Sequence, residues 1–83
     1  MTVEFHAAAK DEFLAAVDFY ESAVLGLGSR FFLAVRHAID LALAHPHAGS
    51  SRGTTRRLLV ADFPYDVVYE LHPAVVRIVA VAH

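Results

Sequence analysis

The segment YDVVYELHPAVVRIVAVA, residues 65–82, reads as two strands folded back on each other. Valine, isoleucine and tyrosine dominate both halves, 65–72 and 74–82, and such side chains fit a pleated, half-buried surface. His72-Pro73-Ala74-Val75 makes the turn, and proline at its second position suits type I and excludes the primed types. Centring the turn between Pro73 and Ala74 pairs Leu71 with Val76, Tyr69 with Ile78, Val67 with Ala80 and Tyr65 with Ala82. The opposite face then pairs Glu70 with Arg77, Val68 with Val79 and Asp66 with Val81. The first set is almost wholly apolar or aromatic and is expected to face a core. The second sets Glu70 directly across from Arg77, a favourable cross-strand ion pair. A one-residue slip would mix the two faces, so the pattern itself specifies the register.

Upstream, 55–61 (TRRLLVA) is a third strand-like run, divided from the next by Phe63-Pro64. Residues 46–54 (PHAGSSRGT) read as a loop. Before it the period changes to that of helices. Phe13, Val17, Tyr20 and Val24 share one helical face, with Asp11 and Glu12 near the helix start. Phe32, Val35, Ile39 and Leu43 form a second stripe, widened by Phe31, Ala34, Ala38 and Leu41. Gly26 and Gly28 break the chain between the two helices, Ser29 is the expected N-cap of the second, and Pro46 ends it. So short a link predicts an antiparallel helical hairpin. Residues 2–6 (TVEFH) alternate as a short strand. The expected fold is α+β, in the order β-α-α-β-β-β, with the hairpin on one face of a largely antiparallel four-stranded sheet.

With 83 residues, 57% of them hydrophobic and 19% charged, the chain suits a single domain, 1–83, too apolar for disorder. It has no cysteine, which excludes disulfides and thiolate metal sites. The start, MTVEFHAAAK, lacks the apolar run of a signal peptide, and no stretch reaches the length of a membrane span, so a cytoplasmic location is expected. The net charge of −2 lacks the basic excess of a typical nucleic-acid binder, although Arg52, Arg56 and Arg57 cluster.

Several phrases in order carry a family likeness: AAAKDEFLAAVDFYES, GLGSRFFLAV, AHPHAGS, RRLLVADFPYDVVYEL and VRIVAVAH. Together they resemble the RelE/ParE toxin superfamily of type II toxin–antitoxin systems over essentially the whole chain, most closely its ParE-like or plasmid-stabilisation branch. The resemblance implies a cognate antitoxin as partner and either of two activities. ParE-like members inhibit DNA gyrase; RelE-like members cleave messenger RNA at the ribosome. It implies no cofactor. A homodimer is a further expectation, as is a third role, that of an inactive antitoxin-binding module.

The ribonuclease reading can be weighed on residues. Cleavage through a 2′-hydroxyl needs a base, an acid and a cation for the phosphate. Arg57 matches a basic family position, and His83 offers an imidazole, a side-chain type suited to act as acid or base; these two are the catalytic candidates. Where active relatives carry arginine, this chain has Asp66, which would repel phosphate. The family's basic tail beyond VAVAH is expected to be lacking. A binding role is therefore preferred, with an enzymatic role left open. Its candidate partner-binding residues are Val68, Val75, Arg77, Val79 and Val81, on the sheet face away from the helices.

Other groupings carry weaker chemistry. His37, His45 and His47 are not spaced as three zinc ligands, and no metal site is expected. Ser50, Ser51, Thr54 and Thr55 have no oriented base. The run GSSRG lacks the lysine and spacing of a phosphate loop.

Overall fold

A computed structural model describes all residues, 1–83. The elements run β1 (Thr2–Phe5), α1 (Ala7–Ala23), α2 (Leu27–Ala44), β2 (Ser50–Arg52), β3 (Thr55–Leu59), β4 (Asp66–His72) and β5 (Val75–Ala82). The strands form one sheet in the order β1-β5-β4-β3-β2. β1 runs parallel to β5, and every other pairing is antiparallel. The expected α+β architecture is therefore present, with two differences. A fifth strand, β2, occupies part of the stretch read as loop, where Ser50, Ser51 and Arg52 pair with Arg57, Arg56 and Thr55. The sheet is mixed.

The helices form the expected hairpin. Phe13 stacks on Phe32 at 5.3 Å between ring centroids, and Tyr20 packs on Phe31 at 5.1 Å. Gly28 permits the close crossing: a Cβ there would lie 2.6 Å from the Val17 carbonyl oxygen. Ser29 is not the N-cap of α2. That helix begins at Leu27 after Gly26, whose φ of 86° suits glycine. Its first N–H groups are taken by a side chain of the other helix. Glu21 accepts from the Gly26 N–H at 2.8 Å and from the Gly28 N–H at 3.0 Å. At the start of α1, His6 Nδ1 accepts from the Ala8 N–H at 3.2 Å.

The core lies between the hairpin and one face of the sheet. Phe31, Val35, Ala38, Ile39 and Ala42 of α2 meet Val67, Tyr69, Val76, Ile78 and Val81. The buried stripe of α2 thus runs through Phe31 and Ala42, which leaves Phe32 and Leu41 more exposed than the sequence pattern implies.

Near the turn the predicted register is observed: Leu71 opposes Val76, Glu70 opposes Arg77 and Tyr69 opposes Ile78. The register then shifts. Val68 opposes Ala80, so Val79 is an extra residue, a β-bulge. Beyond it every side chain of β5 changes face. Val67 now opposes Val81, and Val81 is buried in the core with 2% exposure. Its predicted place on the outer face is thereby corrected. The turn also differs. Ala74 has φ 65°, the left-handed setting that the third position of a type II turn requires and type I does not.

Candidate partner-binding surfaces

The sheet face away from the helices is mostly polar. Arg57 Nη1 lies 3.3 Å from Asp66 Oδ2, Arg77 Nε 3.4 Å from Glu4 Oε1, and His72 Nε2 3.1 Å from Glu70 Oε1. Arg77 therefore finds its carboxylate on β1, and the ion pair predicted with Glu70 is not formed, although the two residues oppose each other. Val75 and Arg77 line a shallow groove of about 230 Å³ with Glu4 and His72. Val79 is half-buried, and Val68 has only 6% exposure. Of the five candidate partner-binding residues, Val75, Arg77 and Val79 remain accessible there; Val68 is covered and Val81 is in the core.

The two candidate catalytic residues do not share a site. Arg57 opposes Val68 on the helix-free side and is held by Asp66. His83 sits edge-on to Tyr65, 5.3 Å between centroids, and Tyr65 packs against Phe31 of α2 at 4.9 Å. The sheet separates them. Burial pushes the Tyr65 hydroxyl above its ordinary 10.0, and the neighbouring Tyr20 adds to that shift. The phenol thus stays neutral at physiological pH and offers no base. No group of three or more His, Asp or Glu side chains is arranged to hold a metal ion. No helix is long and apolar enough to cross a membrane.

Most of the accessible apolar surface lies elsewhere, Leu59 of β3 being the large exposed exception on the helix-free face. Of the large apolar side chains left exposed, Leu14, Phe19, Val24, Leu25, Phe32, Leu33 and Leu41 all belong to the hairpin. Phe5, Phe13 and Phe32 floor two adjoining grooves of about 340 and 310 Å³, edged by Lys10 at one end and by Arg36 and Asp40 at the other. A third groove, of about 440 Å³, opens between α1 and the end of β5. Sequence reading missed these surfaces. Their signal is Leu14 and Phe19: large apolar residues off the apolar stripe of α1, on a helix face otherwise wet.

Fold and surfaces together define the class: an α+β protein with a helical hairpin on one side of a mixed sheet. The family described as "ParE toxin of type II toxin-antitoxin system, parDE" matches residues 3–83. The chain belongs to that ParE toxin family, and an antitoxin is the partner such a system implies. A solved structure, "Chromosomal ParDE TA system from P. aeruginosa", has the same fold, with a TM-score of 0.81 at 16% identity, over 100% of this chain and 95% of that one. No curated protein matches.

Proposed function

We propose that this ParE-family toxin acts by binding a target protein, DNA gyrase, and not by cutting RNA. The observation that supports this is the separation of Arg57 from His83 by the sheet. In-line cleavage needs base, acid and phosphate cation around one phosphorus atom. Here the one arginine at the family's basic position is neutralised by Asp66, and the histidine packs on the other face. The toxin would work in the cytoplasm, where gyrase is found. Antitoxin docks on the apolar helical side, and the accessible part of the outer face, Val75, Arg77 and Val79, is left for the target.

The test compares two assays of the purified chain. Gyrase supercoiling should be inhibited, while messenger RNA on translating ribosomes stays intact. Expression without antitoxin should arrest growth, and Arg57→Ala should leave that arrest unchanged. Ribosome-dependent cleavage that disappears in Arg57→Ala would reverse the reading in favour of a RelE-like nuclease. Absence of growth arrest would point to an inactive antitoxin-binding module.

A further inference from the structure

β1 stands at the edge of the sheet, with β5 on one side and no strand on the other. The Thr2 N–H donates to the Ala74 carbonyl at 2.9 Å, and the His6 N–H to the Ile78 carbonyl at 2.8 Å. Backbone groups of successive residues in a strand point to opposite sides, so those of Val3 and Phe5 point to the open side. Such groups need partners, and an open edge is a template for another strand. β1 carries few of the usual guards: TVEF has no lysine and no proline, and its register with β5 has no bulge. The other edge strand, β2, reads SSR and has no apolar side chain.

On its helix side the β1 edge is apolar. Val3 is 40% exposed, and with Phe5, Phe13, Ile39 and Leu43 it lines the groove of about 310 Å³ between β1 and α2. Arg36 and Asp40 line the same groove, both exposed and four residues apart on one face of α2. Neither takes part in an ion pair within the chain. A two-fold rotation exchanges the ends of such a pair, so a rotated copy offers Asp40 to Arg36 and Arg36 to Asp40. Edge and groove are thus complementary to themselves.

We infer that the β1 edge is the interface between two copies of this chain, joined as antiparallel strands about a two-fold axis at Val3. The two Val3 residues then exchange both backbone hydrogen bonds, and the Phe5 N–H of each copy reaches the Met1 carbonyl of the other. Thr2 of each copy opposes Glu4 of the other on the helix-free face. Charge and pleat select this register. A slide that centres the axis on Glu4 sets two carboxylates directly across from each other. A slip of one residue turns the helices of one copy to the opposite face and parts Arg36 from Asp40. In the chosen register the helices of both copies lie on the same side. Val3 and Phe5 of each copy close the mouth of the other's groove, and the charges of the two α2 helices meet in opposite pairs over it. The inference is independent of the toxin's target and of its antitoxin.

The test uses the full chain alone. Sedimentation equilibrium should give twice the monomer mass of 9.1 kDa, with the dimer dissociating on dilution. Amide exchange at Val3 and Phe5 should slow as concentration rises. Val3→Pro deletes an outward N–H, which an edge strand tolerates in the monomer, and should weaken association by about tenfold or more. Arg36→Asp and Asp40→Arg should each weaken it by about tenfold, and the two together should restore it to within about threefold. Phe19→Asp, exposed on α1, should leave association unchanged. Circular dichroism verifies that each variant folds. A chain that stays monomeric at its highest soluble concentration overturns the inference. A dimer that tolerates Val3→Pro, or is lost in Phe19→Asp, is built on another face and overturns it too. So does a double charge reversal no better than the single ones. A monomer whose Val3 amide is protected only when antitoxin is added assigns the edge to that partner, and again overturns the inference.

Discussion

Tyr69 shows how one polar atom can organise a small core. Its ring is fully buried, and its hydroxyl accepts from the Gly49 N–H at 3.1 Å and donates to the Pro46 carbonyl at 2.8 Å. Arg56 completes the clasp, donating to the carbonyls of His47 at 3.2 Å and Gly49 at 2.9 Å. The segment after α2 is thereby fixed to the sheet before β2 begins. Gly49 is required in this place, since a Cβ would lie 2.7 Å from the Tyr69 oxygen and 2.9 Å from the Arg57 carbonyl. Tyr69→Phe keeps the ring and strands both loop groups. It should cost about 1–3 kcal/mol, the price of leaving a buried donor and acceptor unpaired. A urea titration checks this: the midpoint falls while the slope stays unchanged. An unchanged midpoint would mean that water replaces the hydroxyl at no cost.

The helical hairpin depends on a carboxylate that belongs to the wrong helix for an ordinary cap. Glu21 ends α1 and serves α2, accepting two N–H groups from the start of the second helix across the glycine link. A negative group also favours that positive helix end. Glu21→Ala should destabilise the fold by about 1–2 kcal/mol, in the range of a lost N-cap. Glu21→Gln should lose less, because one amide oxygen still accepts; equal losses in the two variants would argue against the capping role. This contact also shows why local reading stops short. Ser29 has the right chemistry for a cap in linear sequence, but Gly28 lets the helices approach so closely that Glu21 arrives first. The element order apart from β2, the hairpin and the turn-proximal register were legible, because periodicity and proline placement are local signals. The switch of Val81 into the core was not. The bulge at Val79 lies between equally apolar alternatives, Val79, Ala80 and Val81, and only packing against the helices chooses among them. The candidate site was legible in chemistry more than in place. Asp66 and Arg57 were both singled out, yet that they neutralise each other follows from strand pairing, which brings Asp66 against Leu59 beside Arg57.

An 83-residue domain has little core to spare, and the exposed apolar residues of the hairpin draw on what there is. Covering them by a partner that binds only the folded chain should raise its stability. With free antitoxin at a hundred times its dissociation constant the gain is about 2.7 kcal/mol. The check is a thermal melt of the chain with and without antitoxin, where the midpoint should rise with antitoxin concentration and level off only slowly; an unmoved midpoint would mean that antitoxin binds unfolded chain as well. The parallel pairing of β1 with β5 has a further meaning for how the molecule comes into being. Within the chain, Thr2 through Phe5 find their only strand neighbours in Val75 through Ile78, so β1 stays unpaired until the far later strand has been made and brought back to it. A partial chain can build the hairpin but cannot close the sheet over it. A neutralising protein already present can therefore meet the toxin while that seam is still open.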